Sequence, residues 1–252
     1  MTYLSVMNMF SDSHCHLRSV TEDSVKEAEE AGVELVLTAG IDMESSEEAV
    51  KTASRFGIVK GCVGIHPWYA DSYNPKNLER LRGLASGEEV VAVSEIGLDF
   101  TGRMTREWVR TDEYIDPGIQ RRAFRAQLGL AKELGLPVLV HDRAPGQEIL
   151  DEEGIVEVGA AIHGFTKGPE YARRAVEMGV YLSIGRGLLR EENKELEEAI
   201  RQTPLDWLLT ETDSGDPKGV ILVAGKIAEL KGLSVEEVGV AATRNLRKLL
   251  GL

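Results

Sequence analysis

Five histidines are all that a chain of 252 residues contains: His14, His16, His66, His141 and His163. An imidazole near neutral pH is a lone-pair donor, a proton carrier and a common metal ligand. His14 and His16 form an HxH pair in SDSHCHL. Residues two apart on a strand share a face, so both could bind one cation while Cys15 points away. Glu95 closes the apolar run VVAVSE. A carboxylate there is costly to bury without a cation, and its two oxygens could bridge two. The competing reading is a helix-capping or ion-paired glutamate. His141 ends LPVLVH and His163 ends AAIH; with Glu95 they could hold a second ion. Asp213, in LLTETDSG, could bind the first ion and accept a proton. A divalent cation lowers the pKa of water from about 16 towards 7, which yields a nucleophile at neutral pH. Two divalent ions are expected. Imidazoles favour zinc or manganese, and the carboxylates leave magnesium open.

Further residues would shape the rim. His66, in VGIHPW, could orient substrate or protonate a leaving group, or simply make a loop hydrogen bond. Arg143, two residues after His141, suits a phosphate or carboxylate, or a surface ion pair. Asp99 could orient a ligand or cap the next helix. Trp68 and Tyr69 could stack on a base or pack locally. Lys167 and Arg186 could add positive charge, or be ordinary solvated side chains.

Apolar runs that could position these residues are Asn8–Ser13, Val33–Ala39, Ile58–Val63, Val90–Glu95, Pro137–His141, Gly159–His163, Val180–Ile184 and Asp206–Thr210. VELVLTA and LPVLVH are continuously apolar, the pattern of strands buried on both faces of a parallel sheet. The stretches between them read as helices. Ser19–Glu22, Ser45–Glu48 and Ser234–Glu237 fit capping boxes. Gly32, Gly57, Gly135 and Gly179 fall where helices should stop. Val220, Val223, Ala224, Ile227 and Ala228 share one helical face. Eight strands, each followed by a helix or helical turn, suggest a single-domain (β/α)8 TIM barrel; an open doubly wound sheet is the alternative. Every histidine then lies at or just beyond a C-terminal strand end, the face that carries barrel active sites. Thr101–Gly118 breaks the rhythm and is expected to be a long loop over that face.

Composition narrows the class. Lys and Arg number 29 against 42 Asp and Glu, a formal charge of -13. That argues against a long nucleic-acid groove, though not against one phosphate in a metal site. No apolar run approaches the roughly 18 residues of a membrane span. MTYLSVMNMF lacks a basic start and a cleavage site, so it reads as a lead-in to the first strand. Two cysteines, Cys15 and Cys62, make no disulfide framework, and a reducing cytoplasm is expected.

SDSHCHL, VGIHPW, SEIGLDF, VLVHDRA, IHGF and LTETDSG occur in this order. Together they resemble the TatD-like metal-dependent deoxyribonucleases of the amidohydrolase superfamily, from about Asp12 to Leu250. The resemblance implies a TIM barrel, divalent metals and hydrolysis of phosphodiester bonds, often in DNA. It implies His14 and His16 as HxH ligands and Glu95 as the bridging carboxylate. It also implies His141 and His163 as later ligands, Asp213 as ligand and base, and His66 and Arg143 as substrate contacts. Asp12–Ser13 replaces the family's usual Asp-Thr, and Ser214–Gly215–Asp216–Pro217 departs from its usual continuation. The first change is mild; the second and the longer Thr101–Gly118 loop lie around the mouth and affect substrate identity more than metal chemistry.

The expectation is therefore a phosphodiesterase acting on DNA ends or a small phosphodiester. The alternatives are a hydrolase of a carbon-centred ester, amide or lactone, including D-aminoacyl-tRNA, and a non-catalytic metal-binding barrel.

Overall fold

A computed structural model describes residues 9–17, 22–103, 111, 113–190 and 193–252. Among these, eight parallel strands neighbour one another in chain order. They are β1 (Phe10–Cys15), β2 (Val33–Ala39), β3 (Val59–Val63), β4 (Val90–Asp99), β5 (Val138–Arg143), β6 (Ala160–His163), β7 (Val180–Ile184) and β8 (Leu208–Thr210). The helices are α1 (Glu22–Glu30), α2 (Met43–Ala53), α3 (Pro75–Ala85), α4 (Pro117–Leu134), α5 (Pro169–Glu177), α6 (Lys194–Gln202), α7 (Val220–Lys231) and α8 (Val235–Leu250). The sheet curls into the expected (β/α)8 barrel. Between β5 and β6 a 3-10 turn, Ile155–Glu157, stands in place of a helix. Buried Glu152, paired with Arg121 and Arg125, ties that connection to α4.

Strand alternation separates two apolar layers. Val36, Val59, Val93, Val138, Val140, Ile162 and Leu182 join the large core shared with the helices. Leu35, Leu37, Leu139, Ala161, Tyr181 and Leu209 form the smaller cluster that fills the barrel, together with Leu246 from α8. Leu249 and Leu250 pack against the same cluster, so α8 covers the end opposite the histidines.

The β8–β1 seam is stitched irregularly. Asp213 N–H donates to His14 C=O (2.9 Å), and His16 N–H to Ser214 C=O (3.0 Å). The buried Asp12 carboxylate accepts from Thr212 N–H (2.9 Å) and Thr212 Oγ1–H (2.5 Å). Burial pushes the Asp12 carboxyl up, against the opposing pull of the Thr212 hydrogen bonds.

Local signals explain most boundaries. Gly135 ends α4 in the left-handed conformation at φ 67°, and Ser234 with Glu237 forms the expected capping box on α8. The second expected box is displaced: Asp42 caps α2 and Ser45 takes the third helical position, because the Asp42 side chain accepts Ser45 N–H. Ser19–Thr21 and most of MTYLSVMNMF lie outside the described residues. The Thr101–Gly118 loop ends earlier than expected, since Asp116 caps α4 by accepting from Gly118 and Ile119 N–H. Residues 104–110 and 112 lie outside the described residues. Among the described residues, no helix is long and apolar enough to cross a membrane.

Candidate metal centre

Two register shifts aim the central ligand candidates. Along β1, Asp12 pairs with Val36 and Cys15 with Thr38, so β1 carries one extra residue. Cys15 enters the helix-side core while His14 and His16 converge, with Nε2 atoms 3.3 Å apart. Along β4, Val93 pairs with Val138 and Ile96 with Val140, again one residue in excess. Val93 and Ile96 both face the helices, and the extra residue turns Glu95 inward. Gly97 then lets β4 approach β5; a Cβ there would lie 2.0 Å from the His141 carbonyl oxygen.

Glu95 is the hub. Its Oε1 lies 2.6 Å from His163 Nε2, 2.8 Å from His141 Nδ1 and 3.3 Å from His66 Nε2. Its Oε2 lies 3.4 Å from His14 Nε2 and 3.7 Å from His16 Nε2. Asp213 Oδ1 stands 3.3 Å from His16 Nε2 and 3.9 Å from His14 Nε2, with its side chain half-exposed. Asp213 adopts φ 47°, unusual for a non-glycine residue. Burial alone would raise the Glu95 carboxyl, but His163, His66 and His14 hold it well below the usual range. Burial is likewise outweighed at Asp213, which His16, His14 and His163 pull down. His16 and His163 are pushed up despite burial, by Asp213 and Glu95 respectively. His14 is pulled down by burial and His163.

Neighbours settle which imidazole nitrogens are free. His16 Nδ1 lies 3.1 Å from the Ala39 carbonyl, an acceptor, so Nδ1 carries the proton and Nε2 keeps its lone pair. His141 Nε2 lies 3.1 Å from Asp99 Oδ2, which leaves Nδ1 towards Glu95. Asp99 is itself fixed by Trp68 Nε1–H (2.8 Å), Thr101 N–H (2.8 Å) and Thr101 Oγ1–H (2.7 Å). It therefore orients His141, and Trp68 supports it through the indole hydrogen bond. His66 differs. Its Nδ1 accepts Trp68 N–H (3.0 Å), so Nε2 carries the proton and faces Glu95. Proximity groups His66 with Glu95 and His141 as a metal triad, but this tautomer offers a donor where a ligand needs a lone pair.

The residues fit divalent cations. Two ring nitrogens 3.3 Å apart cannot both donate, and His14 Nδ1 is buried without a hydrogen-bond partner among the described residues. A cation among the imidazoles and Glu95 would take the Nε2 lone pairs of His14 and His16. His14, His16 and Glu95 form one group of suitable donors, with Asp213 beside them. His141 and His163 meet Glu95 on its other side.

At the rim, Arg143 Nη1 donates to the carbonyls of Asp142 (2.9 Å) and Gly164 (3.1 Å). Among the described residues it has no carboxylate partner. Lys167 is not a free rim charge: it lies 2.9 Å from Asp142 Oδ2 and donates to the carbonyls of Ala144 and Gly146. Arg186 is exposed. Tyr69 carries the Arg103 guanidinium over its ring. Sequence reasoning missed Glu211, a fully buried carboxylate beside His163. The signal was available, since Glu211 follows Leu209 by two residues and so shares its inward face.

The profile of the family described as TatD related DNase matches residues 11–251. The chain belongs to the TatD-related DNase family. Among its TatD relatives, the Bacillus subtilis protein called uncharacterized metal-dependent hydrolase YabD is 31% identical, covering 96% of this chain and 98% of that protein. The protein called 3'-5' ssDNA/RNA exonuclease TatD from Cronobacter turicensis is 35% identical, over 82% of this chain and 76% of its own. The solved structure of the TatD homologue YJJV from Escherichia coli K12 superposes with a TM-score of 0.83 at 25% identity, covering 97% of this chain and 99% of that one.

Proposed function

We propose that this TatD-family hydrolase cleaves phosphodiester bonds at DNA ends with two divalent cations. The observation that carries this is the convergence of His14, His16, His141 and His163 on the two oxygens of Glu95. The relative named as an exonuclease supports the substrate class. His14, His16, Glu95 and Asp213 would hold one ion; Glu95, His141 and His163 the other. Zinc, manganese and magnesium are the candidates. When bound, the cations would activate water and offset charge on the phosphoryl oxygens.

The chain's own groups complete the site. Asp213, half-exposed and held ionised, accepts the proton of the attacking water. Arg143, which has no carboxylate partner among the described residues, presents its guanidinium to a phosphate oxygen. His66 holds Glu95 through Nε2–H and is assigned to that task rather than to leaving-group protonation, because burial pulls it down to about 4 and leaves a neutral ring. The acidic chain has no charge surplus for a long duplex, so a strand end is the expected substrate.

The test is to strip metals with chelator, reload with magnesium, manganese or zinc, and follow end-labelled single-stranded DNA beside ester and amide substrates. Metal-dependent shortening from one end is expected. Asp213→Asn should lower kcat by about 10²–10⁴-fold while keeping the fold, since Asn tolerates the left-handed conformation. Ester or amide turnover with no phosphodiester cleavage under any metal would overturn the proposal.

A further inference from the structure

Glu211 sits inside the barrel one residue beyond β8, with no exposed surface. Its Oε1 accepts Gly164 N–H at 2.6 Å and faces His163 Nδ1 at 3.6 Å. Among the described residues, His163 Nδ1 has no hydrogen-bond partner, and neither does Glu211 Oε2. Burying a carboxylate with an unpartnered oxygen works against folding, since packing alone would favour an apolar side chain. Two glycines make room here, one beside Glu211 and one beside Arg143. A Cβ at Gly185 would stand 3.0 Å from Glu211 Oε1, and a Cβ at Gly164 would stand 2.9 Å from Arg143 Nη2. Gly164 is also the residue whose carbonyl holds Arg143.

We infer that Glu211 is a positioning residue that sets His163 on the metal side and Arg143 on the substrate side through one shared neighbour, Gly164. Its Oε1, 3.6 Å from His163 Nδ1, favours by its charge a proton on that nitrogen, which leaves the Nε2 lone pair aimed at Glu95. The same oxygen pins the Gly164 amide, and the Gly164 carbonyl pins the guanidinium. This rests on the metal-dependent function proposed above and assigns a residue to it that touches neither ion nor substrate.

Three variants, Glu211→Gln, Glu211→Ala and Gly185→Ala, separate the two tasks. Zinc is the probe, with affinity measured by competition against a chromogenic chelator. Kinetics are measured on bis(p-nitrophenyl) phosphate at saturating zinc. Glu211→Gln keeps an acceptor for Gly164 but loses the charge facing His163. Zinc affinity should fall about 10–100-fold, the usual cost of removing a group that orients a ligand, with KM nearly unchanged. Glu211→Ala loses both, so KM should also rise about fivefold, the worth of one hydrogen bond. Gly185→Ala displaces the carboxylate without replacing it and should weaken zinc binding in the same direction. The metal-free Glu211→Gln protein should melt at or above the wild-type temperature, which a purely structural role would not allow. Zinc affinity within twofold of wild type in Glu211→Gln, or equal KM in Glu211→Gln and Glu211→Ala, overturns the inference. Should Glu211→Ala fail to fold, a Gly185→Ala protein with wild-type zinc affinity overturns it as well. A wild type that binds zinc while the variants are unaffected removes this inference alone. A wild type that binds no divalent cation removes the proposed function and this inference with it.

Discussion

His66 keeps its proton on Nε2 because the Trp68 amide already occupies Nδ1. Its burial pulls the folded-state value from 6.5 to about 4. Between those values the unfolded chain binds a proton that the folded chain does not. Stability from this group is therefore fully present above pH 6.5 and is lost as pH falls towards 4. At pH 5 the loss should be about 2 kcal/mol. His16 and His163 shift in the opposite direction, so the comparison must be between proteins. In metal-free protein, urea unfolding at pH 7.5 and pH 5 should show a smaller acid loss in His66→Gln than in wild type. Equal losses would show that His66 does not titrate as its burial requires. At this scale the five histidines were legible because residue type alone carries their chemistry. Asp99 and Glu211 were not assigned in advance, because a carboxylate becomes an orienting group only through what it faces. Lys167 was left open for the same reason: its charge is spent on Asp142 and two carbonyls.

Strands and their seams decide where those side chains point. β2 and β7 run over the expected residues, since their apolar runs are bounded by clear breakers. β4 continues to Asp99, four residues beyond expectation. The extra residue near Glu95 that makes its inward aim compatible with an outward Val93 two residues earlier left no trace in the apolar pattern. The capping box at Ser45 failed because Asp42, three residues earlier, competes for the same amide and wins. The β8–β1 seam gives a direct test. Thr212→Val should remove the hydroxyl that donates to Asp12 (2.5 Å) and leave that buried carboxylate short of a partner. The expected cost is about 1–3 kcal/mol in urea unfolding. Because His14 and Asp213 bracket this seam, the variant should also bind metal more weakly. An unchanged stability would mean the seam is held by its backbone bonds alone.

Over the whole molecule, the barrel gathers like-charged and lone-pair groups at one mouth and closes the other end with α8. Such a site should be stabilised by the cation it gathers. At a concentration 100 times Kd, a divalent ion that binds only the folded chain adds about 2.7 kcal/mol. For a domain of this size that raises Tm by roughly 5–10 °C. Thermal melts with magnesium, manganese and zinc should show the rise, and chelator should reverse it. A Tm indifferent to all three would contradict the proposed centre.

The order of elements, the alternation of apolar strands with capped helices and the identity of the candidate ligands followed from the sequence, because periodicity and residue chemistry are local properties. Closure of the sheet, the inward turn of Glu95, the tautomers set by Ala39, Asp99 and Trp68, and the place of Glu211 behind His163 were decided only by the tertiary structure. Each depends on atoms from strands far apart in the chain, and a lone pair has a direction only when its neighbours are in place.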